Sequence, residues 1–255
     1  MHIPLDTKTE RASSDIHLDG SPEAKSSPPP YATSDPSSSS STRPFVPPDS
    51  VKPSNHLSLS QTHNSFRGIY VIDPSLEIPH EYLPPLPDGE TENSRSNFYA
   101  KSTHGNVSVD LYLLDKPINK PKRKILLNTS SEHGSVYTTI RRGDKVPSFE
   151  LNSSSKNGNV VVKIPRSYRG PVTGTTIHGR ITMSDAVSAQ AMVFSEVHGV
   201  KRIFIGDMSA RNEENDDSVI LETKHGSVRI YYEDEDSTPP VVKSVKGFWS
   251  RIVGL

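Results

Sequence analysis

Half of the ten histidines in this 255-residue chain stand directly before a glycine, where a row of imidazoles could act together. They are His104, His133, His178, His198 and His225. If equivalent turns stack at the roughly 4.8 Å spacing of neighbouring strands, such a row could bind a transition metal or respond to pH. Asn157 occupies the same position in one copy, however, and asparagine suits a turn better than a metal site. The pattern therefore favours polar turn residues, and we predict no metal and no cofactor.

Residues 194–207 hold the densest group of polar side chains. Ser195, Glu196 and His198 are residue types used in acid–base catalysis, but a triad needs a convergent geometry that nearness in sequence does not supply. The chain has no Gly-x-Ser-x-Gly elbow, no His-Glu-x-x-His motif and no phosphate-binding glycine loop. We predict two strands with a surface ion pair between Glu196 and Arg202, and a protein that is not an enzyme.

The elements that must position these residues repeat seven times along the chain. Each copy places a turn between two stretches in which apolar residues alternate with polar ones, the pattern of strands with one buried face. The turn glycines are Gly105, Gly134, Gly158, Gly179, Gly199 and Gly226, with Asn64 in the first, degenerate copy. We predict that these glycines are structural turn residues, because glycine accepts positive φ without steric cost.

Two all-β architectures fit this repeat. In a β-solenoid, each copy is one coil whose apolar face lines a central core; in a two-layer antiparallel β-sandwich, each copy is a hairpin. The spacings between successive glycines are 29, 24, 21, 20 and 27 residues, which suits coils of about twenty residues with loops inserted in some copies. We therefore favour the solenoid, with residues 116–124 and 212–217 as insertions.

The predicted domain organisation has three parts: residues 1–50, 51–236 and 237–255. The first part is rich in proline and serine and carries few large apolar side chains, so we predict that it is a disordered tail. This tail contains Pro28, Pro29, Pro30 and Tyr31, which match the Pro-Pro-x-Tyr ligand of WW domains. A WW-domain protein is therefore one candidate partner.

The C-terminal part predicts a short amphipathic helix. Its apolar residues recur at helical spacing and include Val245, Phe248, Trp249 and Ile252, with lysine and arginine between them. Such a helix could make weak contact with an acidic membrane surface, or it could cap the open end of the repeat region. The sequence leaves both alternatives open.

Charge and composition narrow the other partners. With 29 basic and 30 acidic residues the chain has no general basic field, so we do not expect it to bind nucleic acid. It has no cysteine, which excludes disulfides and thiol catalysis. No apolar signal region or membrane-spanning stretch is evident, and we predict a cytoplasmic location.

The repeat region resembles a family of uncharacterised fungal domains of unknown function. The resemblance rests on residues 55–59, 67–76, 83–87, 164–171 and 194–207. The usual repeat of that family is Asn-Gly-Ser-Val, and most copies here carry His in place of Asn, as in residues 133–136. The family implies no known activity and no functional residues. Its repeats are also similar to adhesin-like bacterial β-solenoids, an analogy of fold alone.

The leading functional prediction is a non-enzymatic β-repeat interaction scaffold or adaptor, because the repeats form a core and both tails carry interaction motifs. The alternative is a carbohydrate-binding or polysaccharide-associated protein. Aromatic residues, which commonly stack on sugars, make up only 7% of the chain. Those predicted to point outward are Tyr99, Tyr137, Phe204 and Tyr231.

Overall fold

The computed structural model describes residues 45–86, 91–114, 124–143 and 146–236. One short α-helix, α1 (Asp185–Ser188), and three 3-10 helices (His80–Tyr82, Glu92–Ser94 and Met208–Ala210) accompany the strands within these ranges. The strands are β1 (Leu57–Gln61), β2 (Phe66–Ile72), β3 (Phe98–Ser102), β4 (Val107–Leu113), β5 (Ile125–Ser131), β6 (Val136–Arg142), β7 (Phe149–Ser155), β8 (Val160–Ile164), β9 (Gly170–His178), β10 (Ile181–Met183), β11 (Ala191–Val197), β12 (Val200–Ile205), β13 (Ser218–His225) and β14 (Val228–Tyr232).

These strands form two sheets in which most neighbours are parallel. The larger sheet has the order β1-β3-β5-β7-β13-β9-β12-β11, and the smaller has the order β10-β14-β8-β6-β4-β2. Six pairs of strands, each formed by two strands that follow one another in the chain, contribute one strand to each sheet. We call these pairs arch units: β1–β2, β3–β4, β5–β6, β7–β8, β9–β10 and β13–β14. The chain is thus a mostly β protein with two parallel-rich layers.

The positions aligned by the repeat lie opposite one another in the sheets. Leu127, seven residues before its glycine, pairs with Phe98 and Leu151, which hold the same position in adjacent units. Val136, two residues after that glycine, likewise pairs with Val160. Neighbouring arch units pair in parallel, whereas the sandwich alternative predicted antiparallel pairing; antiparallel pairing occurs where β12 joins β9 and β11. The arrangement in two sheets agrees with that alternative.

The one copy that forms no arch unit, around Gly199, departs from the others. Strands β11 and β12 pair with each other in antiparallel fashion, and Val197 lies opposite Val200. Both turn residues have positive φ, 49° at His198 and 77° at Gly199, as a tight two-residue hairpin turn requires. Such a turn folds the second strand back beside the first, so the pair stays in the larger sheet.

The core lies between the two sheets and consists of inward-facing aliphatic and aromatic side chains. Strands β4 and β5 alternate strictly between buried and half-buried residues, as their sequence pattern predicts. The largest fully buried side chains are Ile72, Phe98, Leu111, Leu113, Ile125, Leu127, Ile140, Phe149, Leu151, Ile164, Ile205 and Tyr232. Truncating one such leucine or isoleucine to alanine typically costs about 2–5 kcal/mol.

The described chain starts before the domain boundary predicted at residue 51. The ring of Phe45 lies 5.9 Å from that of Tyr112 on β4, and Ser54 forms an isolated bridge with Ile72. The predicted WW ligand at residues 28–31, the predicted C-terminal helix and most of the insertion at 116–124 lie outside the described residues. Within the described ranges, no helix is long and apolar enough to cross a membrane.

Candidate functional site

Glycine is required at the turns because the backbones of neighbouring units approach each other closely there. A Cβ atom added at Gly134 would overlap the carbonyl of Gly105, and one added at Gly158 would overlap the carbonyl of Gly134. The same crowding occurs at Gly105, Gly179 and Gly226. Positive φ was the expected reason for all six glycines, and it is wrong for these five, since only Gly199 of the set has it.

Buried hydroxyl groups complete the turns. Ser131 donates to the carbonyl oxygen of Gly105 at 2.7 Å, and Ser155 donates to that of Gly134 at 2.8 Å. Each hydroxyl stands three residues before the glycine of its own unit. The same bond is made by Ser102, Thr176 and Thr223. The Ser/Thr-rich stretch of the repeat therefore satisfies backbone carbonyls that the stacking buries.

A second ladder follows the glycines and was missed by the sequence analysis. The backbone N–H of Ser135 donates to Oδ1 of Asn106 at 2.8 Å, and that of Asn159 donates to Oγ of Ser135 at 3.1 Å. Ser227 continues the ladder onto Asn159. The signal in the sequence is the small polar residue that directly follows four of the six turn glycines, namely Asn106, Ser135, Asn159 and Ser227.

The turn histidines form two exposed stacks. The ring centroid of His104 lies 5.3 Å from that of His63 and 4.9 Å from that of His133. His178 and His225 stack at 4.9 Å. Asn157 lies next to His133, its Nδ2 being 3.0 Å from the imidazole Nδ1. The row is thus His63, His104, His133, Asn157, His225 and His178, in the order in which the units pair.

Two predictions about this row need correction. His198 is absent from it because its turn belongs to the β11–β12 hairpin. His63 is present, although Asn64 rather than glycine follows it, and the His-Gly motif therefore overlooked it.

Near-parallel rings place their nitrogens side by side, so they do not converge on one point. Within the described residues, no group of three or more His, Cys, Asp or Glu side chains could hold a metal ion.

Ser195, Glu196 and His198 do not assemble into a triad. Ser195 and Glu196 are adjacent on β11, so their side chains point to opposite faces of the sheet. The predicted ion pair between Glu196 and Arg202 is wrong: Glu196 Oε2 lies 2.9 Å from Lys201 Nζ. The antiparallel register explains this, because it places Lys201 opposite Glu196 and Arg202 opposite Ser195.

The four aromatic candidates for sugar binding do not form one surface. Tyr99 and Phe204 belong to the larger sheet, whereas Tyr137 and Tyr231 belong to the smaller one. Phe204 is only 2% exposed and cannot stack on a ligand, but Tyr137 is 42% exposed. Tyr99 lines a shallow groove of about 510 Å³ on the larger sheet, alongside Ser130 and other polar side chains.

The exposed apolar surface is concentrated on β11, the last strand of the larger sheet. Met192, Val193, Phe194 and Val197 are 51%, 49%, 56% and 54% exposed. A register shift between Val193 and Ser195 interrupts the pairing with β12 at Phe194. Within the described part of the chain, the other side of β11 pairs with no strand. An apolar edge strand of this kind is a template for binding another chain.

Comparison with known families places the chain in one of them. Residues 55–235 match the family described as "Domain of unknown function (DUF7330)". The chain belongs to this family, and the matched residues include all fourteen strands described above. The family description carries no activity.

The other comparisons add little. No curated protein matches the chain. Among solved structures, the chain is similar to a protein from Clostridium sporogenes ATCC 15579 described as a "putative cell adhesion protein", with 14% sequence identity and a TM-score of 0.36. That match covers 74% of this chain and 96% of the other. At this similarity, we transfer nothing from the bacterial protein.

Proposed function

We propose that the protein is a non-enzymatic interaction scaffold, a solenoid-like stack of arch units that binds another protein through β11. The observation that carries the proposal is the exposure of Met192, Val193, Phe194 and Val197 on one edge strand. Scattered apolar side chains on a surface are ordinary, but four exposed apolar residues on one edge strand are typical of a binding surface.

The proposed binding mode is strand addition. An extended segment of the partner would pair with the main-chain groups on the side of β11 that no described strand occupies, while its apolar side chains would contact Met192 and Phe194. Main-chain pairing supplies affinity with little sequence preference, and the side-chain contacts supply specificity. The arch units hold the hairpin rigidly, because β12 pairs with β9 over six residue pairs from Val200 to Ile205.

A pull-down from native lysate tests this function. We expect Met192→Ser combined with Phe194→Ser to lose the partners that the unaltered chain retains. The matched control is Ile69→Ser, because Ile69 is 43% exposed on β2, the edge strand of the other sheet. If the double variant folds and keeps all partners, β11 is not the binding surface.

The proposal also includes a second binding site in the N-terminal part of the chain and a cytoplasmic location. Pro28 to Tyr31 would recruit a WW-domain protein, so the chain would join two partners. Replacing Tyr31 with Ala should remove the WW-domain partner and leave the one bound at β11 in place. We place this adaptor in the cytoplasm, which cell fractionation tests.

A further inference from the structure

We propose that a groove on the outward face of the smaller sheet binds an oligosaccharide that contains uronic acid units. The groove has a volume of about 590 Å³, and its lining includes Arg67, Asp110, Tyr137, Arg141 and Lys163. This volume lies within the range of roughly 300–1,000 Å³ that is usual for sites of small ligands. The groove and β11 belong to different sheets, so this inference is independent of the function proposed above.

The parallel register brings the lining residues together from four strands, β2, β4, β6 and β8. Ser108 on β4 lies opposite both Arg67 on β2 and Tyr137 on β6. Two residues further along, Asp110 lies opposite Thr139. Residues two apart on a strand share a face, so these side chains all lie on the outward side. With neighbouring strands about 4.8 Å apart, the groove extends over about 14 Å from β2 to β8.

Arg141 is the side chain of the groove with the least satisfied hydrogen bonding. Within the described residues, its Nε is the only buried side-chain nitrogen or oxygen atom without a hydrogen-bond partner. One of its terminal nitrogens lies 3.7 Å from a carboxylate oxygen of Glu233, which is too far for a hydrogen bond. Its guanidinium also lies 5.8 Å from the ring centroid of Tyr112.

These weak contacts leave the Arg141 side chain free to turn toward a ligand. The side chain is 32% exposed, and no described residue holds it by a hydrogen bond. Changes of side-chain rotamer on binding are common, and this one would give the guanidinium the acceptor that it lacks. A carboxylate is the acceptor that fits best, because its two oxygens can receive two parallel bonds from one guanidinium.

The other charges of the groove also favour an acidic ligand. Arg67 is exposed and makes no ion pair within the described part of the chain. Lys163 donates to the backbone carbonyl of Glu235, a bond that leaves its positive charge in place. The lining thus carries three cations and one carboxylate, that of Asp110. Such a balance attracts anions to the groove.

Tyr137 and Asp110 favour a sugar over other anions. The ring of Tyr137 is 42% exposed and offers an apolar surface on which a sugar ring can stack. The carboxylate of Asp110 can accept hydrogen bonds from hydroxyl groups, whereas it repels the phosphates of a nucleic acid. A uronic acid combines the three features that the groove can recognise: a carboxylate, hydroxyl groups and an apolar ring face.

Calorimetric titration of the full-length chain with a short oligomer of galacturonic acid tests the inference. The methyl ester of the same oligomer is the matched control, because it keeps the sugar rings and hydroxyl groups but has no charge. We expect the acid to bind at least about tenfold more tightly than the ester. Added salt should weaken the binding of the acid, since it screens exposed charges.

Variants of exposed residues locate the binding in the groove. Tyr137→Ala should weaken binding of the acid at least about tenfold, and Arg67→Gln about threefold. The matched controls are Tyr99→Ala and Arg202→Gln, which change the same residue types on the larger sheet and should leave the affinity unaltered. Circular dichroism verifies that each variant is folded.

Arg141→Gln tests the recognition of the carboxylate. This variant should bind the acid and the methyl ester with equal affinity, because the group that distinguishes them is gone. If it does not fold, Arg67→Gln should still reduce the preference for the acid over the ester.

Four results would each contradict the proposed site. They are no binding of the acid at low salt, equal binding of acid and ester by the unaltered chain, an affinity that Tyr137→Ala and Arg67→Gln leave unchanged, and equally tight binding of inorganic polyphosphate. The second result would indicate a neutral sugar as the ligand, and the fourth would indicate attraction of any polyanion.

Discussion

The guanidinium of Arg142 donates two hydrogen bonds of 2.7 Å to the carboxylate of Asp217, although 75 residues separate them in sequence. The same carboxylate accepts from the backbone N–H groups of Phe149 and Arg169. Arg142 ends β6, Phe149 begins β7, and Arg169 and Asp217 directly precede β9 and β13. This cluster therefore joins the starts of β7, β13 and β9, the three strands that lie side by side where the order departs from the sequence.

Breaking this pair should destabilise the fold strongly. Burial raises the pKa of Asp217, and Arg142 and the two N–H groups oppose that shift. Asp217→Ala leaves a buried guanidinium without its carboxylate partner, which should cost about 3–5 kcal/mol of unfolding free energy in a urea titration. The exposed pair Arg166–Asp234 is the control, and Asp234→Ala should cost less than about 1 kcal/mol. Equal losses would mean that the buried pair does not hold β13 in place.

Glycine should be essential where the units approach closely. Gly134→Ala places a methyl group on the carbonyl of Gly105, and we expect a loss of at least about 1–3 kcal/mol, the usual cost of overpacking. Gly143→Ala is the control, because its Cβ would lie 3.5 Å from Phe45, an ordinary contact. Thermal unfolding measures both. A Gly134→Ala variant as stable as the control would refute the close approach of the turns.

In one turn, the buried hydroxyl of Ser131 should contribute more to stability than the exposed imidazole of His133. Ser131→Ala removes the donor to the Gly105 carbonyl and should cost about 1–3 kcal/mol. His133→Asn should change stability by no more than about 0.5 kcal/mol, since Asn157 already holds the equivalent place. Denaturant titrations of the two variants compare them directly. A larger loss for His133→Asn would show that the stacked rings stabilise the turns.

Tyr168 should make the fold sensitive to alkaline pH. Burial raises its pKa well above the ordinary value of 10.0. Its contribution to stability is therefore complete below pH 10 and is lost as pH rises toward the higher pKa of the folded state. Over this range, one such tyrosine lowers the free energy of unfolding by about 1.4 kcal/mol for each pH unit.

The test of this pH dependence is Tyr168→Phe, measured by unfolding between neutral and alkaline pH. At neutral pH the variant should lose about 1 kcal/mol, because the hydroxyl of Tyr168 donates to the carbonyl of Pro171 at 2.7 Å. Above pH 10 its stability should fall less steeply than that of the unaltered chain. Parallel curves would assign the alkaline transition to other groups.

For the six arch units, the sequence by itself determined the strands, their buried faces and their register. Alternating apolar residues at constant distance from the turn identify the inward positions, and residues aligned in this way, such as Val107 and Val136, are partners in the sheet. Local periodicity is sufficient for this because each strand buries one face whatever its neighbours are. The Ser/Thr-rich stretch and the turn glycines were also evident, although the role of the glycines was not.

Only the tertiary structure decided which strands are neighbours and what the special residues do. The His-Gly pair at Gly199 has the same sequence as the others but forms a hairpin turn, in which both His198 and Gly199 have positive φ. The bond from Arg142 to Asp217 lies where β13 enters between β7 and β9, and no local pattern links two residues so far apart. Close packing and long-range charge pairing act through space, so strand order and the exposure of β11 emerge only once the chain is folded.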